Sequence, residues 1–138
     1  MKKLNCILLV DDDMTTNFLN EELINDLKIA KEVHVAWNGQ EALDYLNKEG
    51  KFKSSKKNTF PKPDIIFLDI NMPLMDGFEF LKHFSQLPKK QIKDIQLVFL
   101  TTSDSAKDKQ KAVNTDMDYK FMEKPLREQE LLSLVNDK

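Results

Sequence analysis

Several chargeable or hydroxyl side chains in this chain come directly after apolar runs: Asp11 to Asp13 after Leu4–Val10, Asp69 after Ile65–Leu68, Thr101 after Ile95–Leu100, and Lys124 after Tyr119–Glu123. Alone, Asp69 fits a loop cap as well as it fits a site. Carboxylates gathered from two such ends repel one another and raise their own pKa values. A hard divalent cation relieves that repulsion. Mg2+, with Mn2+ as a substitute, suits one or two carboxylates plus waters plus a phosphoryl oxygen. If Asp11, Asp12 and Asp69 carry three negative charges, a divalent ion and Lys124 bring the group to neutrality. An aspartate nucleophile that forms an acyl phosphate needs this electrostatic help and little covalent assistance.

The elements that must position these residues follow from the apolar pattern. Ile65 to Leu68 is an unbroken apolar run, as expected of a central parallel strand covered on both faces. Pro63 sits just ahead of it, and Asn71, Pro73 and Asp76-Gly77 turn the chain after it. Leu4–Val10, Glu32–Ala36, Ile95–Leu100 and Tyr119–Glu123 supply four more strands. Between them, Thr15 or Thr16 can cap a helix with Leu19, Leu23, Ile24 and Leu27 on one face. Asn38-Gly39 opens a second helix with Ala42, Leu43 and Leu46 inward, ended by Gly50. Phe80, Leu81, Phe84 and Leu87 mark a third, stopped before Pro88. Ser105–Asn114 predicts a thinly apolar fourth, and Leu126, Leu131, Leu134 and Val135 an inward face on the last. Strands alternating with helices predict a doubly wound α/β fold, (βα)5, with a parallel sheet between two helical layers. In open sheets of this kind ligands bind outside the carboxyl ends of the strands, where all the residues above fall.

The chain has 138 residues, which predicts a single domain, and its 41% hydrophobic and 32% charged content is ordinary for a globular protein. A net charge of -2 gives no general attraction to nucleic acid or membrane. Cys6, the single cysteine, excludes a disulfide framework and a thiolate metal site. No apolar run reaches membrane length and no signal-peptide pattern opens the chain, so the expected compartment is the cytoplasm. The lysine-rich stretch Lys51–Lys62 shows neither helical nor strand periodicity. It reads as a long solvated loop insertion, with a partner-specific contact as the sharper alternative.

Four motifs in order carry a resemblance: Val-Asp-Asp (Val10 to Asp12), Pro63 to Gly77 (PDIIFLDINMPLMDG), Leu100 to Ser103 (LTTS) and Lys124-Pro125. Over its whole length the chain resembles the receiver domain of two-component response regulators, of the single-domain chemotaxis type. Its long loop is similar to that of the phytochrome-associated sub-family. The resemblance implies a flavodoxin-like sheet of strand order 2-1-3-4-5. It also implies that Asp69 takes a phosphoryl group from a histidine kinase or a histidine phosphotransfer domain, in a Mg2+-dependent reaction. Asp12 would then ligate the metal directly, Asp11 largely through water, and Asn71 through its backbone carbonyl. Thr101 would close on the phosphoryl group and Lys124 would pair with it. The Lys124-Pro125 bond is often cis in that family. Phe121 stands at the family's switch aromatic position, without the hydroxyl of a tyrosine, and Tyr119 shares its face of the strand. Asn71 and Ser103 occupy positions that tune hydrolysis. Asp13 matches no family role and reads as a loop residue.

Two other classes compete with a signalling module that phosphorylates and dephosphorylates only itself. A haloacid-dehalogenase-type phosphohydrolase also uses an aspartate nucleophile and Mg2+, but needs a second acid where this chain has Asn71. A pseudo-receiver scaffold that never takes phosphate is disfavoured by the intact set of Asp12, Asp69, Thr101 and Lys124. His34 and His83 lack ligand-spaced partners and read as surface or packing residues. Trp37 reads as packing, Phe18 as core or as a docking residue for the kinase partner, and Met72 and Met75 as loop anchors. Lys107, Lys109 and Lys111 read as a solvated face. A module of this kind acts through protein contacts, with no nucleic acid and no membrane.

Overall fold

Five parallel strands form one sheet in the order β2-β1-β3-β4-β5 in the computed structural model, which describes residues 3–54, 56, 59–102 and 119–138. The strands are β1 (Leu4–Val10), β2 (Ala30–Ala36), β3 (Ile65–Asp69), β4 (Gln96–Thr101) and β5 (Tyr119–Glu123). The helices are α1 (Met14–Leu27), α2 (Gly39–Asn47), α3 (Gly77–Ser85), the single turn α4 (Lys89–Ile92) and α5 (Glu128–Asn136). The expected Ser105–Asn114 helix, with Lys107, Lys109 and Lys111, falls outside the described residues, as does Ser103.

The central strands bury both faces, and their alternation sorts the core into two layers. Leu8, Ile66, Leu68, Leu97 and Phe99 pack with α2 and α3 through Leu43, Phe80 and Phe84. Ile7, Leu9, Phe67, Val98 and Leu100 pack on the other side with Ile24 of α1 and Leu131 and Val135 of α5. The register sets the functional edge. Val10 stands opposite Leu68, so Asp11 is level with Asp69. Asp69 pairs with Leu100, and Thr101 with Glu123.

Three local expectations change. Asp13, expected as a loop residue, caps α1: its carboxylate accepts the Thr15 N–H at 3.1 Å and the Thr16 hydroxyl at 2.8 Å. An aspartate there binds the orphan amide that Thr15 or Thr16 was expected to serve. The inward stripe of α1 is Asn17, Asn20 and Ile24, with Leu23 and Leu27 half-buried, while Leu19 stays 58% exposed. The leucine spacing alone did not show which face meets the sheet. Finally, α2 ends at Lys48, in the left-handed region at φ 58°, with Gly50 following at φ 57° in a one-turn 3-10 helix (Gly50–Phe52).

The Lys51–Lys62 loop is tied to the body of the domain. Phe52 is buried and Phe60 half-buried, both packed into the core layer beneath α2. Tyr45 joins them edge-on, and its hydroxyl donates to the Pro61 carbonyl at 2.7 Å. The expectation of a solvated loop fails at these two rings, because Phe52 removes about a full side chain from water and Phe60 part of one. His34 packs against Tyr45 and Phe60 and lies 2.9 Å from Glu32, as a packing histidine, and His83 is exposed. Trp37 is half-buried and Met72 buried.

Candidate functional site

β1 and β3 deliver Asp11 and Asp69 to adjacent positions at the carboxyl edge of the sheet, and the Lys124 ammonium bridges them. Its Nζ lies 3.0 Å from Asp69 Oδ1 and 3.3 Å from Asp11 Oδ2. Lys124 is held there by its own backbone, whose N–H donates to the Thr101 carbonyl at 2.7 Å, and the peptide to Pro125 is cis. Asp12, exposed, completes the group: one carboxylate oxygen from each of Asp11, Asp12 and Asp69 lies within 4.8 Å of the others.

The local backbone is built around this cluster. The other Asp11 oxygen accepts the Asp13 N–H at 2.9 Å, and the Asn17 side-chain amide donates to the Asp11 carbonyl at 2.9 Å. Asn17 Oδ1 is buried with no partner among the described residues. On the other side Gly77 donates its N–H to the Ile70 carbonyl at 2.8 Å. A Cβ on Gly77 would stand 3.0 Å from Ile70 Cα and 3.3 Å from the Asp69 carbonyl oxygen, closer than ordinary packing allows. Asp76 and Glu79 form a reciprocal capping box that starts α3 immediately afterwards. Asn17 is a support that sequence reasoning missed, and Gly77, read there as a turn residue, also permits the close approach to Asp69. The signal for Asn17 was a polar residue on the same helical face as Ile24, two turns before it, and for Gly77 the Asp-Gly pair after the acid.

The electrostatics are those of buried charge. Burial pushes the Asp69 carboxyl above the ordinary carboxylate range, with the Lys124 hydrogen bond pulling the other way and the Asp11 charge adding to the rise. Asp11 is raised for the same first reason, burial, against the opposing Asp13 N–H and Lys124. Burial opposes the Lys124 charge, but Asp69 and Asp11 together more than offset it and raise the ammonium pKa. Asp13 behaves differently: exposed and bonded by the Thr16 hydroxyl, it is held below the ordinary value, as a cap should be. One lysine cannot balance three carboxylates, and the donor set is all hard oxygen, so the residues present fit a Mg2+-sized divalent cation.

The structure thus brings together Asp11, Asp12, Asp69 and Lys124. Thr101 is buried at the end of β4, and its hydroxyl donates to the Thr102 carbonyl at 3.2 Å. The Asn71 N–H bonds to the Asp69 carboxylate, and its side chain is exposed. Phe121, half-buried on β5, packs 5.5 Å from the Phe99 ring and edge-on to Tyr119 at 5.7 Å. Large apolar groups stand exposed on the two segments that leave this edge: Met14 and Phe18 on α1, and Leu74, 91% exposed with φ 70°, after β3.

Residues 7–136 match the family model of the response regulator receiver domain. Response regulator Rcp1 from Synechocystis sp. is 34% identical over 102 residues, which are 74% of this chain and 65% of that protein. The probable transcriptional regulator ycf29 of Porphyra purpurea is 31% identical over 133 residues, 96% of this chain and 55% of that protein. The chain therefore spans about two thirds of one curated relative and about half of the other. Among solved structures, a two-component response regulator from Cytophaga hutchinsonii superposes with a TM-score of 0.78 at 31% identity, covering 99% of this chain and 97% of that one. The bacteriophytochrome response regulator AtBRR does so with a TM-score of 0.77 at 29% identity, over 98% and 92% of the two chains.

Proposed function

The chain belongs to the response regulator receiver family of two-component signalling, and on that premise we propose that Asp69 is its phosphoacceptor. Phosphorylation of an aspartate by a histidine kinase is the general role of the family. The observation that supports the assignment is the cluster itself: Asp69 lies level with Asp11, within reach of Lys124, with three carboxylate oxygens within 4.8 Å.

In the transfer an Asp69 oxygen attacks the phosphorus of a kinase or phosphotransfer-domain phosphohistidine. The new O–P bond forms as the P–N bond breaks, and the electron pair stays on the imidazole. Lys124 already bonds to Asp69 and is placed to pair with the phosphoryl oxygens. Asp12, Asp69 and the Asn71 carbonyl would hold Mg2+ directly and Asp11 largely through water, and the ion would supply charge neutralisation of the phosphoryl oxygens. Thr101 turns from the Thr102 carbonyl toward the phosphoryl group, and Phe121 responds as the neighbouring aromatic. Asn71 and Ser103 adjust the rate at which water removes the phosphate. Its own phosphorylation and dephosphorylation are the chemistry assigned to it, and it works in the cytoplasm through protein contacts. The kinase-side partner docks on the exposed Met14, Phe18 and Leu74 beside the acids, an apolar rim of the kind that marks a protein interface. Among the described residues no helix is long and apolar enough to cross a membrane.

The test is intact-mass measurement after incubation with Mg2+ and acetyl phosphate. The wild-type chain gains one phosphoryl group, Asp69→Asn gains none, and Asp12→Ala gains far less than Asp13→Ala. Undiminished labelling of Asp69→Asn would overturn the assignment.

A further inference from the structure

The opposite end of the sheet carries a second built surface. It lies at the amino end of β3, roughly 20 Å from Asp69 at about 3.3 Å per strand residue. From Lys48 to Lys62 the sequence holds six lysines and one acid, Glu49, in a chain of net charge -2. This positive stretch is anchored by rings. Phe52, Phe60 and Tyr45 meet edge-on with centroids 5.0 to 5.8 Å apart. Beside them opens a cavity of about 300 Å³ whose walls include Leu46, Phe60, Pro61 and Pro63, with Lys48 and Lys62 also lining it. The Gln91 side-chain amide, on the same wall, is already committed to the Leu46 carbonyl at 2.8 Å and to Asn47 Oδ1 at 2.6 Å, so the wall is braced. Lys51 is paired with Glu41, and Glu32 with His34 at 2.9 Å. Among the described residues, Lys48 and Lys62 have no ion-pair partner.

We propose that this cavity docks an acidic segment of a partner protein, seating one large apolar side chain between the Pro61 and Phe60 walls while Lys48 and Lys62 pair with its flanking carboxylates. Charge selects the occupant, since the patch is positive on a protein that is negative overall and so attracts an acidic peptide locally. A nucleic acid fits less well. The net charge repels a long polyanion, and Arg127, the chain's single arginine, lies at the start of α5, so no guanidinium fork serves phosphates here. A membrane fits less well too, because Phe52 and Phe60 turn inward and present no wedge to lipid. The surface lies at the end of β3 away from the acids, so docking there persists whether or not Asp69 is occupied and leaves the acid edge open to the kinase.

Fluorescence anisotropy of a labelled peptide, with a central tryptophan between runs of glutamate and aspartate, tests this at physiological salt. The tryptophan peptide should bind about tenfold more tightly than the same peptide with alanine there, since one buried large side chain is worth at least that factor. The double variant Lys48→Asn/Lys62→Gln should lose about tenfold in affinity by removing two charge pairs. Asparagine tolerates the left-handed backbone at position 48, so the fold is kept. Asp69→Asn should bind as the wild type does. Equal binding of the two peptides, an unaffected double variant, loss of binding in Asp69→Asn, or displacement of the peptide by lower concentrations of polyuridylate or phosphatidylserine vesicles would each overturn the proposal.

Discussion

The two ends of the parallel sheet solve opposite problems with the same scaffold. At the carboxyl edge, strand ends place like charges close together and partly out of water, where Asp11 and Asp69 are pushed toward protonation and lean on Lys124. At the amino edge, the positive charges stay in solvent and are carried on a loop that rings and a tyrosine hydroxyl fasten down. Charge at the first end is held against its own electrostatic interest, which is a common signature of a reaction site. At the second end it costs little to hold, and the apolar anchors supply the stability. The carboxyl edge is therefore where stability and the proposed chemistry conflict, and the amino edge is where stability has no such rival.

Three substitutions sharpen that contrast. The largest effect is expected at the amino edge: Phe52→Ala should lower unfolding free energy by about 3–5 kcal/mol, as for other buried phenylalanines. Denaturant unfolding measures it, and the protein that remains folded should still take a phosphoryl group. A loss under about 1 kcal/mol would mean that the loop is not anchored through this ring.

Next comes Lys124→Met in metal-free buffer, expected to cost about 1–3 kcal/mol at pH 7, because it leaves two buried carboxylates without their cation. The sign with pH follows from linkage. Removing the lysine raises the folded-state pKa values of Asp11 and Asp69 further above the ordinary 3.8. The native state then holds more protons than the unfolded one across that window, so the penalty grows with rising pH and shrinks below about pH 4. For the wild type, the Lys124 pKa is raised above 10.5, so the stability it contributes is complete below pH 10.5 and is lost as pH rises through the higher folded value. Thermal unfolding of both proteins between pH 4 and 8 checks this, and a pH-independent difference would break the account.

The smallest effect has the opposite sign. Asp69→Asn should raise stability by up to about 1 kcal/mol in EDTA, since it removes one of the mutually repelling buried charges. Adding Mg2+ should stabilise the wild type and not the variant, as mass action requires of a ligand that binds only the native acid cluster. If both proteins gained equally from Mg2+, the ion would be binding elsewhere.

The sequence alone determined the strand pattern, the parallel sheet and the edge at which the acids and Lys124 gather. Runs such as Ile65–Leu68, ended by a carboxylate, report burial and termination together, and both are local properties of the chain. β1 and β5 came out with their expected bounds for that reason. What only the tertiary structure decided depends on which surface meets which. The leucines of α1 are compatible with several rotations about its axis. The sheet chose the face with Asn17, Asn20 and Ile24, leaving Phe18 62% exposed and tucking the Asn17 amide under Asp11. Phe52 and Phe60 lie in a stretch with no period, and only the fold of α2, which presents Tyr45 to them, gives the two rings a place to bury. The close approach that requires Gly77 likewise exists only once β3 and α3 have packed around Asp69. Periodicity records how a segment alternates between core and water, but not which neighbour the core side will meet.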